Sequence, residues 1–408
     1  MSVMVDKLTP FVYASRVPQT APMGAAQATS RADVIPLSYG SPVSDSFPYE
    51  ALQLAASEAI MSQGNEALQY TGADGPAVVR KWISERSALR GIETKPETVL
   101  VTYGSGQAID FACRAILEPG DHVWVESPTF FGALNTFRSS EAVLTAFPID
   151  AEGLRVDLVE EALIAADHAG KPLPKLLYCI PNYHNPGGVS LSVDRRKRLA
   201  ELAQTYNFFI LEDDAYSELN FEEEYLPAVY TFAPQRTIYL GTFSKTIAPG
   251  IRVGWAIASA EAISKLGSFF HGSRASVFTQ QIVANLLRSY SLAEHIKQLV
   301  ERYRKQRDCM LASLDNYFGD AVEYTIPQGG FFVWLRFKEE VDTSELVKFA
   351  AERGVSFIDG RQFYLTPDEG KHEARLSFSY CESESLELGV ARLAEAYIAY
   401  LAERNQRS

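Results

Sequence analysis

The sequence predicts an α/β fold, with a large, doubly wound, mostly parallel sheet joined to a smaller α+β domain. Three observations carry this. From about residue 50 to 285, short apolar runs alternate with amphipathic stretches. That is how strands read when helices cover both faces of their sheet. Beyond that region a long helical pattern leads into two well-separated strand candidates with helices around them, the reading of an α+β unit. The third is length: 408 residues are too many for one core and divide naturally into two or three units.

The elements follow in order. Residues 1–48 read as an N-terminal arm and part of the small domain. The Gly/Pro-rich stretch "LSYGSPVSDSFPYEAL" (37–52) connects the arm to a large domain over 49–290. The first strand is "VLVTY" (99–103). Ala108, Phe111, Ala112, Ala115 and Ile116 then recur at helical spacing, and "PGD" breaks that helix before "HVWVE" (122–126). Further strands are "AVLTAF" (142–147), "KLLYCI" (175–180), "FFIL" (208–211), "TIYLGTF" (237–243) and "VGWAIA" (253–258), with helical stretches such as 192–206 between them. A long helix from Ala293 to Leu314 opens the small C-terminal domain (291–408), whose strands are "GGFFVWLRF" (329–337) and "ARLSFSY" (374–380).

Composition narrows the function. A formal charge of −13 argues against nucleic acid as a partner, because phosphate binding needs a basic surface. No run of 18 apolar residues appears, so no membrane span is expected. The first thirty residues lack a signal-peptide core. Their low acid content with Arg16 and Arg31 faintly resembles a transit peptide, but they read as an ordered arm, and a cytoplasmic enzyme is expected. Cys113, Cys179, Cys309 and Cys381 stand far apart, which fits free thiols rather than a zinc site or a disulfide framework.

In open α/β sheets, ligands bind beyond the carboxyl ends of the strands. After "VLVTY" comes Gly104-Ser105-Gly106-Gln107, either a plain turn with Ser105 as N-cap or an anion cradle on a helix N-terminus. After "KLLYCI" comes Pro181-Asn182-Tyr183-His184-Asn185-Pro186-Gly187-Gly188, rich in turn formers. After "FFIL" come Glu212, Asp213 and Asp214, then Tyr216. These three carboxylates form either a solvated acidic loop or a ligand site. After "TIYLGTF" come Ser244 and Lys245, with Arg252 seven residues on. A lysine at the end of an apolar strand is costly to bury unless neutralised or paired, and such lysines often form Schiff bases. Arg252 offers a fork of donors for phosphate.

Taken in order, Gly-Ser-x-Gln, Asn-Pro-x-Gly, Asp-x-Ala-Tyr and Thr-x-Ser-Lys with its arginine resemble the class I/II aminotransferases. These are pyridoxal phosphate (PLP) enzymes of fold type I, and the nearest branch contains 2-aminoadipate aminotransferases and MocR-type regulators. The resemblance runs from about residue 35 to 395. It implies that Lys245 holds PLP as a Schiff base and shuttles the proton. Asp213 would face the pyridine nitrogen, with Asn185 and Tyr216 on the phenolic oxygen and Phe130 stacked on the ring. Ser105, Gly106, Gln107, Thr242, Ser244 and Arg252 would hold the phosphate, joined by Tyr70 from the other subunit of a homodimer with shared sites. Arg375 would grip the substrate carboxylate, and Gly40 would lie over the substrate. Phe131 reads as packing and Asp214 receives no role.

Three departures bear on the substrate side chain: Gly187 where the family has threonine, His184 where glutamine is usual, and Asp359 where a proline is common. The implied activity is transfer of an amino group from an L-amino acid to a 2-oxo acid, by way of pyridoxamine phosphate. A lyase, decarboxylase or oxidase on the same scaffold is the alternative. A PLP-sensing regulator fits less well, since no basic winged-helix segment precedes the matched region. No metal is implied.

Overall fold

The structure is a computed structural model that describes residues 11–14, 16–17, 33–70, 75–222, 224–270, 274–366 and 368–407. The ordered-arm expectation therefore falls largely outside the described residues, as does Arg31.

In chain order the strands are β1 (Ile35–Pro36), β2 (Val99–Thr102), β3 (His122–Ser127), β4 (Val143–Asp150) and β5 (Gly153–Leu154). Next come β6 (Leu176–Cys179), β7 (Phe209–Asp213), β8 (Thr237–Thr242) and β9 (Gly254–Ile257). The C-terminal part adds β10 (Val322–Tyr324), β11 (Phe332–Phe337), β12 (Val355–Ser356), β13 (Ile358–Asp359) and β14 (Glu373–Ser377).

Eight strands build the large sheet in the order β2-β9-β8-β7-β6-β3-β4-β5. The run from β8 to β4 is parallel, while β9 lies antiparallel to both its neighbours. Central strands buried on both faces need apolar side chains on both, which is why "LLYC" and "FIL" read as continuous runs. Their alternation still shows in the packing. Leu176, Tyr178 and Leu211 enter one core with Phe111 and Phe137, while Leu177, Cys179 and Ile210 enter another with Trp124, Leu199 and Phe208. Successive side chains point to opposite faces, so each strand stitches two cores together. Truncating one such residue, Leu211→Ala, removes contacts worth about 2–5 kcal/mol.

The second sheet is antiparallel, in the order β10-β11-β14-β13. It packs with the long helices Leu292–Phe318 and Ser383–Arg407 around Leu314, Phe331, Leu335, Leu376 and Leu393. β1 pairs in parallel with β12, Ile35 opposite Val355, so the segment before the large sheet is fastened to the C-terminal layer. Among the described residues, no helix is long and apolar enough to cross a membrane.

Candidate active site

The carboxyl ends of β2, β6, β7 and β8 meet β11 and β14 around a recess of about 320 Å³. Of the residues expected to form a site, Gly40, Ser105, Gly106, Phe130, Asn185, Asp213, Tyr216, Thr242, Ser244, Lys245, Arg252 and Arg375 all line it. Two do not. Gln107 turns its amide oxygen back to accept from the Tyr103 N–H at 2.9 Å. Tyr70 stands 97% exposed, outside the recess of its own chain.

The strand ends explain how each group is held. The helix Gly104–Ile116 begins immediately after β2 with no side-chain cap, so its first amide N–H groups are left for another partner. Ser105 is therefore inside the first turn, and of the two readings of this stretch the one with Ser105 as N-cap does not hold. Gly104 has φ of +72°, and a Cβ there would lie 2.6 Å from Arg252 Nη2. Only glycine lets that arginine close over the turn. Arg252 itself sits in the left-handed region at φ +50°, a strained position for a non-glycine residue. Its guanidinium lies over the Tyr103 ring, 5.1 Å from the centroid. Below it, Ser244 Oγ accepts from Thr242 Oγ1 at 2.9 Å.

The acidic triplet is not a solvated loop: Glu212, Asp213 and Asp214 are all buried. Each carboxylate goes its own way because β7 alternates and then ends. Glu212 accepts from the backbone N–H groups of Val229 and Tyr230, both at 2.8 Å. Asp214 accepts from Tyr239 Oη at 2.7 Å and Asn182 Nδ2 at 2.8 Å, with Arg90 Nε 3.7 Å away. Asp213 turns into the recess, where Tyr178 Oη donates to Oδ2 at 2.8 Å. Burial pushes its carboxyl up to about 6. The Tyr178 hydrogen bond opposes that rise and the charge of Asp214 adds to it.

Lys245 Nζ donates to the Gly40 carbonyl at 2.9 Å and lies 5.4 Å from the Tyr216 ring centroid. Burial, and then the charge of Arg375, bring its amine down to about 8. Burial likewise brings Arg375 down to about 10. Arg375 is clamped between the rings of Phe332 and Phe363, 4.1 and 5.2 Å from their centroids. It donates through Nη1 to Asn185 Oδ1 and through Nη2 to the Ser38 carbonyl, both at 2.9 Å.

Several residues escaped the sequence reading. Phe332 and Ile180 line the recess, and Phe131, expected only to pack, lines it too. Tyr178 braces Asp213; a hydroxyl inside an otherwise apolar buried strand was the available signal, since it needs a partner. His184 does not reach the recess. It is buried, with Nε2 3.0 Å from Glu126 Oε2. Asp359 caps a short 3₁₀ turn by accepting from the Arg361 N–H at 3.2 Å. Arg16 lies 3.9 Å from Glu141 and borders a different surface recess, with Asp110 and Arg114.

PLP fits this set of groups. Asp213 Oδ1 and Arg375 Nε are buried without partners, although both residues border the recess. Such atoms call for a ligand donor and a ligand acceptor respectively, which a pyridine N–H and a substrate carboxylate supply. The first amides of the helix that starts at Gly104, beside Arg252, Thr242 and Ser244, suit a phosphate.

Known proteins agree with that chemistry. A family model described as "Aminotransferase class I and II" matches residues 32–393. The chain is 37% identical over 370 residues to aromatic-amino-acid aminotransferase 1 of Thermococcus litoralis, covering 89% of this chain and 88% of the other. It is 33% identical to 2-aminoadipate transaminase of Thermus thermophilus, over 92% of both. The crystal structure of a multiple substrate aminotransferase from Thermococcus profundus superposes with a TM-score of 0.88 at 34% identity, covering 96% of this chain and 98% of that one. The chain therefore belongs to the class I and II aminotransferases and is a PLP-dependent enzyme that moves an amino group from an amino acid to a 2-oxo acid.

Proposed function

We propose that this aminotransferase works with apolar or aromatic L-amino acids at the Lys245 recess, as a cytoplasmic homodimer. The observation behind the substrate class is the lining. Apart from Lys245, Arg252 and Arg375, the described residues around the recess carry no cation, while Phe130, Phe131, Ile180, Pro249 and Phe332 supply apolar surface. A side-chain carboxylate would have no cation of its own there.

In this reading each residue has one task. Arg375 takes the substrate α-carboxylate in its planar fork and fixes Cα in the recess. The Lys245 amine removes the Cα proton; with its pKa brought down to about 8, a useful fraction is free base near neutrality. A positioned base of this kind contributes on the order of 10²–10⁴-fold. PLP, when bound, supplies the electron sink for the charge left at Cα. Asp213, ionised above about pH 6, holds the positive pyridine N–H. Asn185 and Tyr216 hold the phenolic oxygen and Phe130 covers the ring. The backbone amides of Ser105, Gly106 and Gln107 take the phosphate together with Thr242, Ser244 and Arg252. Tyr70 reaches the phosphate of the partner subunit, which accounts for its exposure in a single chain. Gly40 roofs the substrate and orients Lys245 through its carbonyl.

The test is a donor screen with 2-oxoglutarate and pyruvate as acceptors, read by product identity. Phenylalanine, tyrosine or leucine should outperform aspartate and 2-aminoadipate. Preference for a dicarboxylic donor would refute the substrate class, and release of CO₂ or ammonia in place of amino transfer would refute the reaction.

A further inference from the structure

Behind the recess lies a buried pair that none of these roles uses. Glu126, at the end of β3, is 2% exposed and His184 is 1% exposed. Glu126 Oε2 accepts from the Ile180 N–H at 2.8 Å and meets His184 Nε2 at 3.0 Å. The other imidazole nitrogen, Nδ1, accepts from the Gly187 N–H at 3.0 Å. An acceptor at Nδ1 places the ring proton on Nε2, so His184 donates to Glu126. The backbone of His184 is fixed as well: its N–H donates to Val189 O at 2.8 Å and its carbonyl accepts from the Gly188 N–H at 2.7 Å. His184 is thus the hub of the 184–189 turn. The next residue on that turn is Asn185, whose Oδ1 accepts from Arg375 Nη1.

Gly187 belongs to the same arrangement. A Cβ there would lie 3.0 Å from His184 Nδ1 and 2.6 Å from Ile149 Cδ1. A side chain on residue 187 would crowd the imidazole that accepts from its N–H. The two departures noted in the sequence, histidine at 184 and glycine at 187, are therefore in direct contact.

We propose that Glu126 and His184 are positioning residues for substrate binding: they hold the 184–189 turn, the turn holds Asn185, and Asn185 sets the plane of Arg375. This rests on the reading of Arg375 as the carboxylate-binding group. Neither residue touches substrate, so the effect should fall on affinity for the carboxylate rather than on proton transfer.

The experiment measures the Kd of 3-phenylpropanoate, a carboxylate with no amino group, on the PLP-loaded enzyme by calorimetry, alongside KM and kcat for an amino donor. His184→Leu should weaken the probe roughly tenfold, the factor equivalent to about 1.4 kcal/mol, and raise KM comparably while kcat changes less. Glu126→Met should do the same. Glu126→Gln, whose amide oxygen keeps both acceptor contacts, should recover most of the Glu126→Met loss. Unchanged Kd and KM in His184→Leu, or a fall in kcat alone, overturns the proposal. Arg375→Ala run in parallel separates the two ideas. If it leaves Kd unchanged, the carboxylate reading fails and takes the proposal with it; if it alone weakens binding, only the positioning role fails. Should His184→Leu not fold, Glu126→Asp decides, because it shortens the reach to Nε2 while keeping the carboxylate. Weakened binding upholds the proposal and unchanged binding overturns it.

Discussion

In the protein stripped of cofactor, the Lys245 amine should titrate near pH 8. Burial and the Arg375 and Arg252 charges lower it from 10.5, while Asp213 pulls the other way. At about pH 7.4 a pKa of about 8 leaves roughly a fifth of the amine as free base, against less than roughly a thousandth at 10.5, a gain of roughly 250-fold. The measurement is competitive labelling with trace acetic anhydride across pH 6–11, with the Lys245 peptide quantified by mass spectrometry against the exposed amines of the same chain. The midpoint, not the absolute rate, is the readout, since enclosure slows the reagent at every pH. Two variants should move it in opposite directions. Arg375→Met removes a repelling cation and raises the midpoint. Asp213→Asn removes the attracting carboxylate and lowers it. A wild-type midpoint above 10, or Arg375→Met shifting the midpoint downward, would refute the electrostatic account of the lysine.

Arg375→Ala should raise KM for amino and oxo acids alike by at least roughly 30-fold, the equivalent of the lower end, about 2 kcal/mol, for losing a buried charged contact; steady-state kinetics on both half-reactions check it. Arg90 is 2% exposed and donates to Glu218 at 3.0 Å, while Glu218 also accepts from Arg86 Nη2 at 2.7 Å. Arg90→Met therefore removes one charged hydrogen bond and leaves Glu218 paired, and should cost about 1.5–3 kcal/mol, read from the urea midpoint. Tyr70→Ala mixed with Lys245→Ala and refolded together should regain about a quarter of wild-type activity if each site borrows Tyr70 from its partner, because hybrid dimers hold one intact site. No recovery in the mixture would show that Tyr70 acts, if at all, within its own chain.

The sheet was legible because its central strands are short apolar runs and its helices are periodic, and local pattern reports both. The recess was legible because most of its groups sit at strand ends, where Ser105, Asn185, Asp213, Lys245 and Arg252 interrupt apolar sequence. What stayed hidden depends on contacts distant in sequence. Nothing in "HVWVES" says that Glu126 meets His184, 58 residues later. Phe332 reads as one more apolar residue of β11, yet its ring carries Arg375. Asp214 looks like a spare copy of Asp213; only the pairing of β7 with β8 brings Tyr239 to it and shows that it faces away. The turn of the Gln107 side chain back to the Tyr103 N–H, and the start of the helix at Gly104 rather than after Ser105, are set by backbone geometry that the residue types alone do not report.

The irregular stretch from Leu37 to Ser41 looks like the most replaceable chain in the molecule. It is anchored upstream by the pairing of Pro36 with Ser356. Its carbonyls at Ser38, Gly40 and Ser41 then meet Arg375, Lys245 and Ser379 in turn. Three grips on alternate or adjacent peptide units, counted from a fixed origin, make this segment a ruler. Inserting or deleting one residue between Pro36 and Ser38 would slide every later carbonyl by about 3.3–3.6 Å, more than a hydrogen-bond length. The wrong peptide unit would then be presented to the arginine and to the lysine at once. A linker chosen by evolution for flexibility tolerates changes in length; this one, apart from Gly40, where a Cβ would lie 2.8 Å from the Phe332 ring, should tolerate changes of side chain far better than changes of count.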